Sequence, residues 1–319
     1  MTNPQIIKRH DAYHTSKQLI FDIVKRATGQ QGITREKVAH GYDCEVYIVH
    51  TRQSDDVVVR IRHHGGAPFA EEAWAITQCR AVGVPAPEVL LVEMITIDGQ
   101  PREVMVQRRM PGRALNEIER TLTPDQRAAI WRQAGAALGA MHRIRVGGFY
   151  KRHPDGCWDF PDWKSISEQS IVDRTSEKPL LIQAGFRADE VDRLLRMLED
   201  GQMLFADEQP VLCHGDFLPG HLFVDDDLKL CGVIDFGEFQ GGAPILDFAN
   251  LSRACPDVDL AWLEPDYGNP RLFDGTFSAH LRVTKIGLQI GNLAHFIQQG
   301  NPQEAAPIIT GLREVREHE

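Results

Sequence analysis

The sequence has no cysteine-rich stretch. Its six cysteines (Cys44, Cys79, Cys157, Cys213, Cys231 and Cys255) lie far apart, and no two form a C-x-x-C pair. Such spacing speaks against a zinc knuckle or a dense disulfide framework and fits a reducing compartment. No uninterrupted apolar run approaches the ~20 residues that a membrane-spanning helix needs. The opening MTNPQIIKRHDAYH is polar, unlike a secretion leader. Basic runs are missing too: Lys+Arg 35 stand against Asp+Glu 45, for a formal net charge of -10. No segment gathers the clustered cations that phosphate-backbone binding requires. These absences lead to the expectation of a cytoplasmic protein with neither a nucleic-acid nor a membrane partner, and they carry no signature of an oligomeric state. The acidic surplus reads first as a solubility feature, although it would also suit a cationic substrate.

What is present is ordinary globular material, with 42% hydrophobic and 25% charged residues in 319. That length allows one large domain or two lobes. Apolar spacing predicts a helix over 14–27, with Leu19, Ile20, Ile23 and Val24 on one face and Gly29 as its stop. Strands are expected at 45–51 and 57–62, then a helix at 69–82 ending at Gly83. Two more strands, 89–96 and 102–109, flank Asp98-Gly99, a hairpin signal. This series closes at Met110-Pro111-Gly112, which reads as a hinge. Beyond it, 124–145 reads as a helix with Ala134, Ala137, Leu138 and Met141 facing a core. An irregular aromatic stretch (146–185), a helix (188–199), short strands (210–235) and helices near 245–253, 276–299 and 302–316 follow. The fold class is α+β: a small β-rich N-terminal lobe (1–109) and a larger α-helical C-terminal lobe (110–319).

Chemistry concentrates in VLCHGDFLPGHLFVDDDLKLCGVIDFGEFQGGAPILDFANLS, residues 211–252. It reads as a strand, a loop from His214 to Gly220, a short strand, an Asp-rich turn, and a strand ending in Asp235-Phe236-Gly237. The hairpin is expected to bring Asp216, His221 and Asp235 to one end. Phosphoryl transfer needs such a set, with one carboxylate to orient the attacking hydroxyl and ligands for the metal that bridges the phosphates. The order His-x-Asp, a ligand five residues on, then Asp-Phe-Gly follows the protein-kinase pattern. Asp225–Asp227 are read as turn formers.

At these residues the chain resembles the aminoglycoside phosphotransferase family, kinase-like enzymes that include antibiotic and choline-type kinases. The loop resembles that family's H-G-D-x-x-P-x-N and I-D-[FW]-[GS] motifs, and Gly242, Pro244, Asp247 and Ala249 resemble its G-x-P-x-x-D-x-A motif. The resemblance implies a protein-kinase-like two-lobed fold. It implies Asp216 as catalytic base, Asp235 as magnesium ligand, and His214 and Asp247 as structural support for the catalytic loop. One departure is His221, where the family carries a magnesium-binding Asn. Magnesium prefers oxygen and imidazole suits softer metals, so His221 stands as a metal ligand, a holder of a water, or a packing residue. The Gly220-His221 pair resembles the loop of macrolide kinases.

The resemblance also assigns a nucleotide-binding lobe. Gly41 and Asp43 lie in HGYDCEVY (40–47), where the family places its phosphate-covering loop. Val58, Arg60 and Arg62 share one face of their strand because side chains alternate. The resemblance favours Arg60, paired with Glu72, as the phosphate-binding cation; parity alone leaves Arg62 open, and Glu71 is the rival to Glu72. Gln107 to Arg109 would form the hinge whose backbone meets the purine. The implied cofactors are Mg2+ with ATP or GTP as phosphoryl donor, and the implied partner is a small hydroxylated molecule. An antibiotic of aminoglycoside, hygromycin or macrolide type leads, and 285–301 looks similar to the tail of hygromycin kinases. A metabolic kinase of a small alcohol, amino alcohol or sugar is the alternative, and a nucleotide-binding pseudokinase is the rival class. Glu238 is a substrate candidate, and Asp257, Asp259, Glu264 and Asp266 are a possible acidic wall for an amine. His142 reads as structural, and the aromatics of 149–163 as pocket lining or loop packing.

Overall fold

A computed structural model of the protein describes residues 13–38, 44–52, 55–63 and 68–315. The chain packs as two units, one from the described part of Met1–Ala140 with Pro219–Phe239, the other from Met141–Leu218 with Gln240–Glu319.

In the first unit, β-branched residues at every second position build an antiparallel sheet. Its strands are β1 (Gly32–Lys37), β2 (Cys44–Thr51), β3 (Val57–Arg62), β4 (Val89–Ile97) and β5 (Gln100–Arg108), in the order β1-β2-β3-β5-β4. Burial alternates strictly along β2 and β3. Tyr47, Val49, Val57, Val59, Ile61, Val104 and Val106 form one core with Ile20, Ile23 and Val24 of helix Lys17–Thr28. That helix begins where the Ser16 hydroxyl accepts the Leu19 amide at 3.2 Å, and ends at Gly29 with φ 73°. Asp98 (φ 50°) and Gly99 (φ 74°) make the two-residue turn between β4 and β5. Strand β1 has no counterpart in the sequence reading. It is an edge strand whose GITREK carries a single apolar side chain, Ile33, itself half exposed, so no alternation announces it.

The same unit holds a three-stranded sheet of β6 (Arg113–Ala114), β10 (Leu222–Val224) and β11 (Leu230–Val233), in the order β11-β10-β6. The presumed hinge is therefore packed: Gly112 has φ +81°, and a Cβ there would stand 2.2 Å from the Val224 carbonyl oxygen. Helix Pro124–Met141 buries Ile130, Trp131, Ala134, Ala137, Leu138 and Met141. Its Gln133 carboxamide donates to the Leu228 carbonyl (3.1 Å) and accepts from the Leu230 amide (3.0 Å), locking the β10–β11 turn. Asp225 shapes that turn by accepting from the Asp227 and Lys229 amides.

The second unit carries a small sheet ordered β8-β7-β12-β9, from β7 (Phe149–Arg152), β8 (Trp158–Phe160), β9 (Val211–Cys213) and β12 (Gln240–Gly242). Around it lie helices Trp163–Ser176, Lys178–Gln183, Ala188–Gly201, Ile245–Ala254, Phe277–Gln298 and Pro302–Glu314. The stretch 146–185 is thus regular, contrary to the sequence reading. Asp162 caps helix Trp163–Ser176 by accepting the Ser165 amide (2.8 Å), but Ser167 is that helix's one buried residue, so its apolar period is faint. The aromatics of this region pack on one another, with Phe149 and Phe205 against Trp163 at 5.7 and 4.7 Å between centroids. No helix among the described residues is long and apolar enough to cross a membrane.

Candidate active site

The β10–β11 hairpin brings two predicted residues together in the first unit. Its ends are tied by the Ile234 amide donating to the His221 carbonyl at 2.9 Å. Beyond that bond, His221 Nε2 lies 3.6 Å from Asp235 Oδ2. Asp235 itself has φ 64° and ψ 65°, left-handed backbone that a non-glycine residue adopts at a penalty of about 1–3 kcal/mol.

The other Asp235 oxygen faces β3. Arg60 Nη2 is 3.5 Å from Asp235 Oδ1, and Arg60 Nη1 pairs with the Glu72 carboxylate from the first turn of helix Phe69–Ala81. Glu72 is 1% exposed. Burial disfavours charge on Arg60, but the attraction of Glu72 and Asp235 outweighs it and holds the guanidinium firmly protonated. Burial pushes the Glu72 carboxyl up, against the opposing pull of Arg60. Arg62 on the same strand face has other partners: it lies 3.3 Å from Glu103 and 4.3 Å over the Phe69 ring. The geometry therefore separates the two arginines that parity leaves equivalent. Asp235 offers the hard oxygen that magnesium takes, and this donor set fits such an ion with His221 as a nitrogen or water-mediated contributor.

Gly41 and Asp43 lie outside the described residues. Gln107 is buried, and its Oε1 has no hydrogen-bond partner. The Arg108 and Arg109 amides already donate to the Glu88 and Asp56 carbonyls at 2.9 and 3.0 Å, so these two groups are not on offer to a purine. The Arg109 guanidinium stands 3.4 Å from Asp56 Oδ2. Glu238 is exposed on the turn Phe236–Glu238.

In the second unit, β9 runs into His214-Gly215-Asp216, and one fully buried carboxylate organises that loop. Asp247, on helix Ile245–Ala254, accepts the His214 amide on Oδ2 (2.8 Å) and the Gly215 amide on Oδ1 (2.7 Å). His142 Nε2 also meets Oδ2 at 2.9 Å, while its Nδ1 meets the Tyr267 hydroxyl at 2.6 Å. Burial alone would raise the Asp247 pKa; the His142 bond, with the further pull of His142, His214 and the His214 amide, lowers it overall. Gly215 takes φ +80°, and its carbonyl accepts from Asn250 Nδ2 at 2.9 Å. The Asp216 amide donates to His214 Nδ1 at 3.2 Å, which makes that nitrogen the unprotonated one. Asp216 is partly buried, and its charge pulls up the pKa of nearby Arg253 against the burial that lowers it.

His142, Cys213 and Asp247 have atoms within 4.8 Å of one another, a metal-like grouping. They form a hydrogen-bond network instead: both imidazole nitrogens are engaged, and Cys213 Sγ donates to the Ala243 carbonyl at 3.5 Å. Sequence reasoning missed Asn250, whose side chain holds the Gly215 carbonyl. Asn250 follows Asp247 by three residues, which puts the two near one helical face, and that spacing was its available signal. Asp257, Asp259, Glu264 and Asp266 are exposed, and Asp259 caps its own turn through the Ala261 amide.

Comparison with known proteins fits this arrangement. A thermostable mutant of aminoglycoside phosphotransferase APH(4)-Ia, solved with AMP-PNP and hygromycin B, superposes with a TM-score of 0.68 at 19% identity, covering 92% of this chain and 96% of that one. The GDP and kanamycin complex of APH(2")-IIia gives 0.64 at 14% identity, covering 93% and 98%. Macrolide 2'-phosphotransferase MphH from Brachybacterium faecium gives 0.58 at 17% identity, covering 94% and 99%. These likenesses show a kinase-like α+β fold, with a small antiparallel sheet lobe and a helical part. No curated protein sequence matches the chain. A family model described as "Phosphotransferase enzyme family" matches residues 34–267, across both units and every motif above, and the chain therefore belongs to that family of phosphotransferases.

Proposed function

We propose that the protein is a small-molecule kinase that transfers the γ-phosphoryl group of ATP or GTP to a hydroxyl of its substrate. The observation that carries this reading is Asp235, held in a strained left-handed conformation between Arg60 and His221. Strain of this kind persists where the surrounding structure fixes it, and it clusters at functional sites.

Asp216 orients the acceptor hydroxyl and takes its proton. His214 and Asp247 position the loop that presents Asp216, with Asn250 completing the hold on Gly215. Arg60, aligned by Glu72, binds the α- and β-phosphates, a role in which a guanidinium can make two parallel bonds. Asp235 and His221 are the residues that would hold magnesium, which when bound offsets the charge of the β- and γ-phosphates. The chain then needs no nucleophilic side chain of its own. Such a donor pool suits a cytoplasmic enzyme.

Hygromycin B and kanamycin are bound by relatives of the same fold, which supports an antibiotic acceptor. The test is transfer from γ-labelled Mg–ATP or Mg–GTP to a panel of hydroxylated compounds. Wild type should label at least one acceptor and Asp216→Asn none, while both bind nucleotide. Nucleotide binding without transfer to any compound would replace this reading with a pseudokinase.

A further inference from the structure

The two faces of the five-stranded sheet are made differently. One packs against helix Lys17–Thr28 as the apolar core of the first unit. Strand register and the alternation of side chains put another set on the opposite face. Ile48, Val58 and Gln107 form one row across β2, β3 and β5, and Val46, Arg60 and Met105 form the next. Ile48, Val46 and Val58 are half-buried there. Strands about 4.8 Å apart, with same-face residues about 6.7 Å apart along each, put the Gln107 and Arg60 Cα atoms on a diagonal of roughly 8 Å.

Gln107 is 6% exposed, and its Oε1 accepts no hydrogen bond from any described residue. A buried amide oxygen is unfavourable until a donor reaches it, and native proteins carry few such groups. A carboxamide oxygen can only accept, so what it calls for is an N–H or O–H donor. Arg60, as the ligand of the α- and β-phosphates, sets one end of a nucleotide on this face. The aliphatic side chains beside it offer a flat bed for a base. The diagonal to Gln107 matches the reach from a nucleotide's phosphates to the far edge of its purine. Because the Arg108 and Arg109 amides are bonded to the Glu88 and Asp56 carbonyls, the carboxamide is what this end of β5 offers in their place. Adenine carries an amino donor at its 6-position. Guanine carries an oxo group there, which would set two acceptors against each other.

We propose that Gln107 is the base-reading residue of this kinase: its Oε1 accepts from the 6-amino group of adenine, and the phosphoryl donor is ATP and not GTP. This rests on the reading of Arg60 as the phosphate-binding cation.

The test compares ATP with GTP and with purine riboside triphosphate, which lacks the 6-amino group. Wild type should favour ATP over both in kcat/KM by roughly tenfold or more, the scale of a hydrogen bond whose loss leaves a buried acceptor unpaired. The difference should lie chiefly in KM, since the base is bound alike before and during transfer. Gln107→Met keeps the volume and removes the acceptor, so it should bring the three nucleotides near parity. A second arm needs no turnover: AMP-PNP should raise the thermal midpoint of wild type more than GMP-PNP does, and both should raise that of Gln107→Met equally. Without nucleotide, Gln107→Met should melt no lower than wild type, because it discards an unpaired oxygen; a glutamine with a purely structural role would be missed. A lower midpoint with the ATP preference intact overturns the proposal. Nucleotides bound and turned over with no Gln107-dependent preference, or with a preference for GTP, also overturn it and leave the kinase reading standing. A Gln107-dependent preference for AMP-PNP with no transfer to any acceptor keeps the base reader and overturns the kinase reading. Failure to bind any nucleotide overturns both.

Discussion

Arg60 meets Glu72 through one guanidinium nitrogen and approaches Asp235 through the other, so a single side chain spans two acids. Removing it strands a buried Glu72. Arg60→Met is expected to lose about 3 kcal/mol of stability, the range seen when one member of a buried pair is deleted. It should also raise the nucleotide KM, and denaturant titration with nucleotide kinetics checks both. Asp216→Asn should lower kcat by about 10²–10⁴, the usual contribution of a general base, with nucleotide affinity within error of wild type. Retained turnover would remove the base assignment. His221 gives the third residue-scale expectation. His221→Asn exchanges a nitrogen donor for an oxygen, so its preference for magnesium over manganese should rise by roughly tenfold, a typical change when a ligand environment is altered. An unchanged metal ratio would reduce His221 to packing. Much at this scale was legible. The approach of His221 to Asp235 was readable from their spacing, and the pairing of Arg60 with Glu72 from the resemblance. Asn250 was not, since its spacing from Asp247 carries no chemical meaning until the Gly215 carbonyl is brought to it.

Among the elements, helix Ile245–Ala254 shows how pH should act. The Asp247 pKa lies below its ordinary value in the folded protein, so unfolding takes up a proton in acid. The stabilisation is complete above the unfolded value, about 3.9, and is lost as pH falls through the lower native value. Asp247→Asn should therefore lose about 3 kcal/mol near neutral pH and progressively less toward acid. An equal deficit at every pH, measured by denaturant titration, would mean that charge is not the cause. Strand β12 supplies a steric case: a Cβ on Gly241 would fall 1.9 Å from the Gly148 carbonyl oxygen. Gly241→Ala should destabilise the protein by about 1–3 kcal/mol, since backbone cannot yield as a side chain can. Strands β2, β3, β4 and β5 were legible from alternation, and the Asp98-Gly99 turn from its residue types. Strand β1 and the elements of 146–185 were not. An edge strand of polar residues and a helix with little buried surface leave no period to detect.

Across the whole molecule, none of the six cysteines, all among the described residues, forms a disulfide, and Cys157 is the exposed one. Reductant should leave the thermal midpoint unchanged, and one thiol should react quickly with a chromogenic disulfide in the native state, with all six reacting in denaturant. Fast native reaction at Cys79 or Cys213, located by peptide mapping, would contradict their burial. At this scale the sequence pattern gave a β-rich beginning and a helical remainder, yet not the return of Pro219–Phe239 to the first unit. That return depends on β6 pairing with β10, two residues against three, too short to leave a pattern of its own. Gly215 carries one last consequence. Its amide is held by Asp247 and its carbonyl by Asn250, both on helix Ile245–Ala254. The loop and the helix are thus a single cassette: an engineer who wishes to transplant Asp216 into a relative must graft 214–216 and 245–254 together, because either piece alone arrives without its mate.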